Sequence, residues 1–274
     1  MIQKTRDEAQ LKKLALQARR HIVEMIYMGG SGHPGGSLSA TEILVSLYFG
    51  EMNLKPDDPK WADRDRFVLS KGHIAAGYYS VLALAGYFPR DVLNTFRKLG
   101  SPMQGHPCML KTAGVDMSSG SLGQGLSVGN GMALAAKLDG KPYRVYVLMG
   151  DGEVQEGQVW EAAMTSAHYK LDNVCAILDY NNLQIDGPVS SVKGIAPLKQ
   201  KWEAFGWNAI EVDGHNWQQL FAAYDAARTA KGKPTIVIAR TIKGKGVSYM
   251  ENVAEYHGKA PDEAGYKKAM AELV

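Results

Sequence analysis

Two short apolar runs joined by one amphipathic segment, all between Tyr143 and Gly187, leave this chain few architectures to adopt. The first run, Arg144-Val-Tyr-Val-Leu-Met149, is β-branched and aromatic and too short for a helix, so it predicts a buried strand that stops at Gly150-Asp151-Gly152. From Gln155 to Lys170, Val159, Ala162, Ala163, Ser166 and Ala167 recur at helical spacing. Glu156 and Glu161 fall near the start of that helix, where its dipole favours negative charge. The second run, Val174-Cys-Ala-Ile-Leu178, ends at Asp179-Tyr180-Asn181-Asn182. Strand, helix and strand in this order form a right-handed crossover between parallel strands. Asp151 and Asn181 therefore emerge at one carboxyl edge, where open α/β sheets bind ligands.

The remaining chain extends the same plan. Leu11, Leu14, Ala15, Ala18, Ile22, Met25 and Ile26 mark an amphipathic helix ending near Met28-Gly29-Gly30. Ser31 to Ser37 is expected to be a glycine-rich loop outside the core, leading into a helix around Thr41 to Phe49. Phe67 to His73 predicts a short strand ending in a glycine-histidine loop, and Leu82 to Leu99 a helix broken at Phe88-Pro89. Ser118 to Leu138 predicts a helix in spite of glycines at 120, 123, 125, 129 and 131. Each interior glycine costs about 1 kcal/mol relative to alanine, so close packing at a subunit interface is expected there. Pro197 to Phe205 and Asn216 to Ala230 read as helices, Trp207 to Val212 and Pro234 to Arg240 as strands. The expected architecture is a doubly wound α/β fold, a mostly parallel sheet with helices on both faces, forming a single domain over 1–274.

Composition narrows the function classes. Lys and Arg number 31 against 28 Asp and Glu, a net charge of +3 with no basic run, which gives no reason to expect nucleic acid. Asp57 to Arg66 is a charged surface turn. Cys108 and Cys175 have no metal-ligand company in sequence, as in a reduced cytoplasmic protein. The N-terminus lacks an apolar signal core, and the apolar stretch Ile74 to Phe88 is too short to span a membrane, so a cytoplasmic location is expected.

Asp151 and Asn181 offer one carboxylate and one amide oxygen between glycines, an incomplete cage that suits Mg²⁺ completed by phosphate and water oxygens. Of seven histidines, His21 and His168 lie on predicted helices and His215 in an Asp-Gly-His turn, with structural or solvent roles expected. His33, His73, His106 and His257 each sit in a glycine-flanked loop. Loops at strand ends converge, and imidazoles there can bond sugar hydroxyls and carry protons. Zinc finds no closely spaced ligand pair.

These features together resemble the transketolase family, over nearly the whole chain. Gly150-Asp-Gly, followed after a spacer by the turn that contains Asn181, resembles the thiamine diphosphate fingerprint. Ser31-Gly-His-Pro, Arg66-Phe-Val-Leu-Ser-Lys-Gly-His73, Gly105-His106-Pro107, Gly120-Ser-Leu-Gly-Gln-Gly125, Gly150-Asp-Gly-Glu with Glu156-Gly157, and His257-Gly258 follow in the family's order. The resemblance implies that Asp151, Asn181 and the Leu183 carbonyl hold Mg²⁺, with Ca²⁺ or Mn²⁺ able to take the same donors. It places Gly152, His73, Asn181, His257 and the backbone of Gly120, Ser121 and Leu122 against the cofactor. His33, His106 and His257 line the substrate channel as catalytic groups, and Glu156 and Glu161 meet a partner at the subunit interface.

The likeness stops where a transketolase's first domain stops. In the family, a glutamate and a stacked aromatic residue from the next domain activate the cofactor. The resemblance therefore implies an N-terminal subunit of a split transketolase. Its partner would be a C-terminal transketolase subunit, carrying the pyrimidine-binding and C-terminal domains, in a heterotetramer that moves a two-carbon ketol unit from a ketose to an aldose. The alternatives are the α subunit of a 2-oxo acid dehydrogenase or other thiamine enzyme, and a non-catalytic thiamine diphosphate-binding protein. Deoxyxylulose phosphate synthase fits the His73 and His106 pattern less well.

Overall fold

The computed structural model describes residues 1–274. Five parallel strands, β1 (Arg66–Leu69), β2 (Val145–Gly150), β3 (Val174–Tyr180), β6 (Asn208–Asp213) and β7 (Thr235–Arg240), form one sheet in the order β1-β2-β3-β7-β6. The small hairpin of β4 (Leu183–Gln184) and β5 (Gly187–Pro188) lies outside it. Register pairs Leu69 with Leu148, Gly150 with Asp179, and Tyr180 with Arg240, so the strand ends that precede the chemistry sit side by side.

Period-two alternation divides the sheet's side chains between two cores. Val145, Val147, Met149, Val174, Ala176, Leu178, Ile236 and Ile238 face helices α5 (Gly125–Leu138), α6 (Gly157–His168) and α8 (Leu198–Ala204). Tyr146, Leu148, Cys175, Ile177, Val237 and Ala239 face α1 (Glu8–Gly29), α3 (Thr41–Ser46), α4 (Ala75–Leu84) and α9 (Trp217–Thr229). Apolar runs without polar interruption are what a sheet covered on both faces requires, each large buried side chain contributing roughly 1.5–3 kcal/mol. Asp7 and Asn216 cap α1 and α9 through their side chains. The short α7 (Val189–Val192) and the terminal α10 (Glu263–Glu272) complete the chain.

Local departures from the sequence reading have physical causes. Ser31 to Ser37 is not an open loop: a buried helix, α2 (Pro34–Ser39), starts at Pro34, whose missing N–H costs nothing at a helix start. Its glycines are packing requirements, since a Cβ on Gly35 would lie 2.9 Å from both the Lys243 side chain and the Tyr256 carbonyl. The helix expected around Thr41 to Phe49 becomes α3 followed by a π turn over Leu47–Glu51. The helix expected over Leu82 to Leu99 is displaced: α4 already ends at Leu84, Gly86 turns the chain at φ 87°, and Arg90–Thr95 is a 3₁₀ turn. The helix expected from Ser118 starts only at Gly125, because Gly123 adopts φ 82°, which a helix cannot continue. Two α5 glycines face the interior of this chain instead of an interface. On Gly125 a Cβ would strike Ser70, and on Gly129 it would lie 2.7 Å from Val147.

Candidate active site

The carboxyl ends of β1, β2, β3 and β7 release four loops around a cavity of about 350 Å³. Asp151, the first residue after β2, is buried, and its carboxylate accepts the Gly152 amide at 2.8 Å and the Asn182 amide at 2.5 Å. It thereby fixes the Asn181–Leu183 turn beneath the cavity. The Asn181 amide oxygen accepts the Leu183 amide at 3.1 Å, and the Leu183 carbonyl accepts the Lys243 ammonium at 2.8 Å. Carboxylate and carbonyl oxygens keep a second lone pair beside such bonds. Asp151, Asn181 and Leu183 thus present hard oxygen donors of the kind Mg²⁺ takes. No cluster of three His, Cys, Asp or Glu side chains exists that could hold a metal by itself, so a metal held by these donors would need further oxygens, such as those of phosphate or water, to complete its shell.

Two lysines missed in the sequence reading dominate the electrostatics. Lys71 and Asp179 form an ion pair at 2.6 Å, with side chains 3% and 0% exposed. Asp179 also accepts from Ser39 at 2.6 Å and from Thr241. Burial opposes its charge, but the Lys71 ammonium and these donors outweigh it and hold the carboxyl below the usual range. Asp151 has no such cation in contact, and burial, then the charge of Asp179, pushes it up to about 6. Lys243, in the loop after β7, is pushed down to about 8 by burial and then by Lys71. Both lysines line the cavity. The available signal was a lysine beside glycine at a strand's carboxyl end, in Ser70-Lys-Gly and Ile242-Lys-Gly.

The four loop histidines converge as expected. Ring centroids are 5.1 Å apart for His33 and His73, 5.4 Å for His33 and His257, 5.1 Å for His73 and His257, and 6.3 Å for His33 and His106. Burial is the first cause that lowers each of them; Lys71 and Lys243 add to it for His33, His73 and His257, and Arg97 for His33 and His106. His33 falls to about 4 and His257 to about 3, so these rings are neutral at pH 7. Neutral imidazoles accept protons and hydrogen bonds as well as donating them. The Lys243 ammonium lies 2.9 Å from His257 Nδ1, which assigns the ring proton to Nε2. His33 Nδ1 is buried without a partner.

His33, His73, His257, Gly120, Leu122, Asp151, Gly152, Asn181, Leu183 and Glu156 line the cavity. Ser121 lies on the exposed turn beside it, and His106 stands behind Gly120, 3.6 Å from where a Cβ on that glycine would be. Glu161 is exposed on α6, as is Met164 about one turn further along the same helix. His215 has the structural place expected of it: Nδ1 lies 2.9 Å from Glu42 and Nε2 accepts the Ile242 amide at 2.9 Å.

The family model described as Transketolase, thiamine diphosphate binding domain, matches residues 11–273. The chain belongs to the transketolase family. A 6-deoxy-6-sulfo-D-fructose transketolase subunit from Clostridium sp. (strain MSTE9) is 46% identical over 255 residues, 93% of each chain. An apulose-4-phosphate transketolase subunit from Phocaeicola vulgatus is 43% identical over 267 residues, 96% of this chain and 95% of its own. The structure of a transketolase from Pichia stipitis superposes with a TM-score of 0.92 at 32% identity, covering 96% of this chain but 40% of that one. This chain thus has the extent of the two related subunits and about two-fifths of the larger transketolase. Membership in the transketolase family displaces the 2-oxo acid dehydrogenase alternative. No helix of this transketolase chain is long and apolar enough to cross a membrane.

Proposed function

We propose that this chain, a single domain over 1–274, is the cofactor-holding subunit of a two-subunit cytoplasmic transketolase, active with a C-terminal transketolase subunit in a heterotetramer. The observation that carries this reading is the convergence of His33, His73 and His257 on a cavity, with His106 behind Gly120, hard oxygen donors on one side and two lysines on its wall. Asp151, Asn181 and the Leu183 carbonyl would hold Mg²⁺. Gly152, His73, Asn181, His257 and the Gly120–Leu122 backbone would meet thiamine diphosphate, with Lys71 and Lys243 offsetting the diphosphate charge. The bound cofactor supplies an electron sink for carbon–carbon bond cleavage and formation.

The chain's own work is positioning and proton handling. His33 and His257 are neutral and adjacent, able to take or return the hydroxyl proton beside the reacting carbonyl, while His106 bonds a neighbouring hydroxyl. Glu156, at the cavity rim, and Glu161 belong to the contact with the neighbouring subunit. The two related subunits are named for sugars that carry a sulfo or a phosphate group, which supports an anionic ketose as donor here.

The test is reconstitution. Ketol transfer measured over a panel of phosphorylated, sulfonated and unmodified ketoses should require both this chain and the separately encoded subunit. Full activity from this chain alone would contradict the proposal, and a pair that binds cofactor yet transfers nothing would favour a non-catalytic binding protein. In the active pair, His257→Ala should lower kcat by roughly 100-fold, within the range of general acid–base catalysis. Its cofactor affinity should change only a few-fold by calorimetric titration.

A further inference from the structure

Glu153 follows the Gly150-Asp151-Gly152 turn, and the function proposed above leaves it without a role. It is 2% exposed and, although it lies on the cavity wall, protein donors occupy both oxygens. Oε1 accepts the Ser70 hydroxyl and the Gly123 amide, the latter at 2.9 Å; Oε2 accepts the Gly150 amide at 3.0 Å. The Ser70 oxygen in turn accepts the Gly125 amide at 3.1 Å. The network therefore has one direction, from the Gly125 N–H through the Ser70 hydroxyl to the Glu153 carboxylate. No ion pair accompanies this buried acid, although burying a carboxylate away from water is costly.

Three segments end on this one side chain: the loop after β1, the turn before α5, and the end of β2. They carry His73, Gly120–Leu122 and Asp151 respectively. Packing leaves them little slack, since a Cβ on Gly72 would meet Ser119 and one on Gly123 would lie 2.9 Å from Glu156.

We propose that Glu153 is a positioning residue whose carboxylate holds the His73 loop and the Gly120–Leu122 backbone in register with Asp151, in the arrangement that receives thiamine diphosphate. This rests on the site reading given above. Glutamine keeps the shape but supplies one acceptor oxygen and an NH₂, so one of the three donors would face another donor. Ser70→Ala removes the relay while leaving the two amides on Glu153.

The experiment is calorimetric titration of thiamine diphosphate into the two-subunit complex with Mg²⁺, alongside steady-state kinetics. Glu153→Gln should weaken affinity about tenfold, equivalent to about 1.4 kcal/mol. Ser70→Ala should weaken it about fivefold, and the double variant should be little weaker than Glu153→Gln alone, because both act through one network. The apparent KM for the cofactor should rise while kcat at saturating cofactor stays within about threefold. Should Glu153→Gln fail to assemble, Ser70→Ala decides. Affinity within about twofold of wild type in these variants, with only thermal stability reduced, would overturn the proposal. Asp151→Ala is the reference: if it too binds normally, the site reading falls and takes this proposal with it.

Discussion

Asp151→Ala is expected to remove measurable Mg²⁺-dependent binding of thiamine diphosphate. Asp151 is the one carboxylate in the proposed donor set, and without it the metal meets only the Asn181 amide oxygen and the Leu183 carbonyl from this chain. Removing one partner from a buried charge pair costs about 3–5 kcal/mol, which corresponds to roughly 10²–10⁴ in affinity. Part of that loss has another origin, since Asp151 also receives the Gly152 and Asn182 amides and holds the Asn181–Leu183 turn in place. Asp151→Asn separates the two contributions: its amide oxygen keeps one acceptor for the turn but no charge for the metal. The asparagine variant should therefore lose roughly tenfold, between wild type and alanine. Titration of the cofactor at several Mg²⁺ concentrations provides the measurement. Undiminished affinity in Asp151→Ala would remove the metal assignment.

The parts of this site that were legible in sequence are those whose local pattern and chemistry coincide. Val145–Gly150 and Val174–Tyr180 are strands because their apolar residues are buried on both faces, and a strand's end fixes where its loop emerges. Hence Asp151, Asn181 and the four loop histidines could be placed together from sequence. Illegible parts depend on partners distant along the chain. Asp179 looks like the first residue of a turn because a charge ends an apolar run. It stays inside β3 because Lys71, 108 positions earlier, neutralises it. α4 was misplaced because most of its residues are buried, with no polar stripe to reveal a helical period. Glu153 stood inside a recognised motif, yet its meaning depends on Ser70 and Gly123, which only the fold brings to it.

The second large effect concerns stability, and it arises from the same Lys71–Asp179 pair. Lys71→Met would leave a carboxylate with 0% side-chain exposure facing an apolar replacement. The hydrogen bonds from Ser39 and Thr241 would remain, but they donate dipoles where an ammonium stood. An uncompensated buried charge typically costs about 3–5 kcal/mol, and for a chain of this size each kcal/mol lowers Tm by roughly 2–4 °C. A fall of about 10 °C is therefore expected in thermal unfolding of the complex. If charge imbalance is the cause, Asp179→Asn in the Lys71→Met background should restore most of that loss, because a neutral amide no longer needs the ammonium. If instead the lysine stem packs a gap, the double variant should be as unstable as the single one. Because Asp179 precedes Asn181 by two residues at the end of β3, the pair also anchors the strand end that presents the Asn181–Leu183 turn. Lys71→Met should accordingly weaken cofactor binding even well below its Tm, and the charge-balanced double variant should recover part of that affinity. A single variant that melts within about 2 °C of wild type would show that the ion pair contributes little net stability.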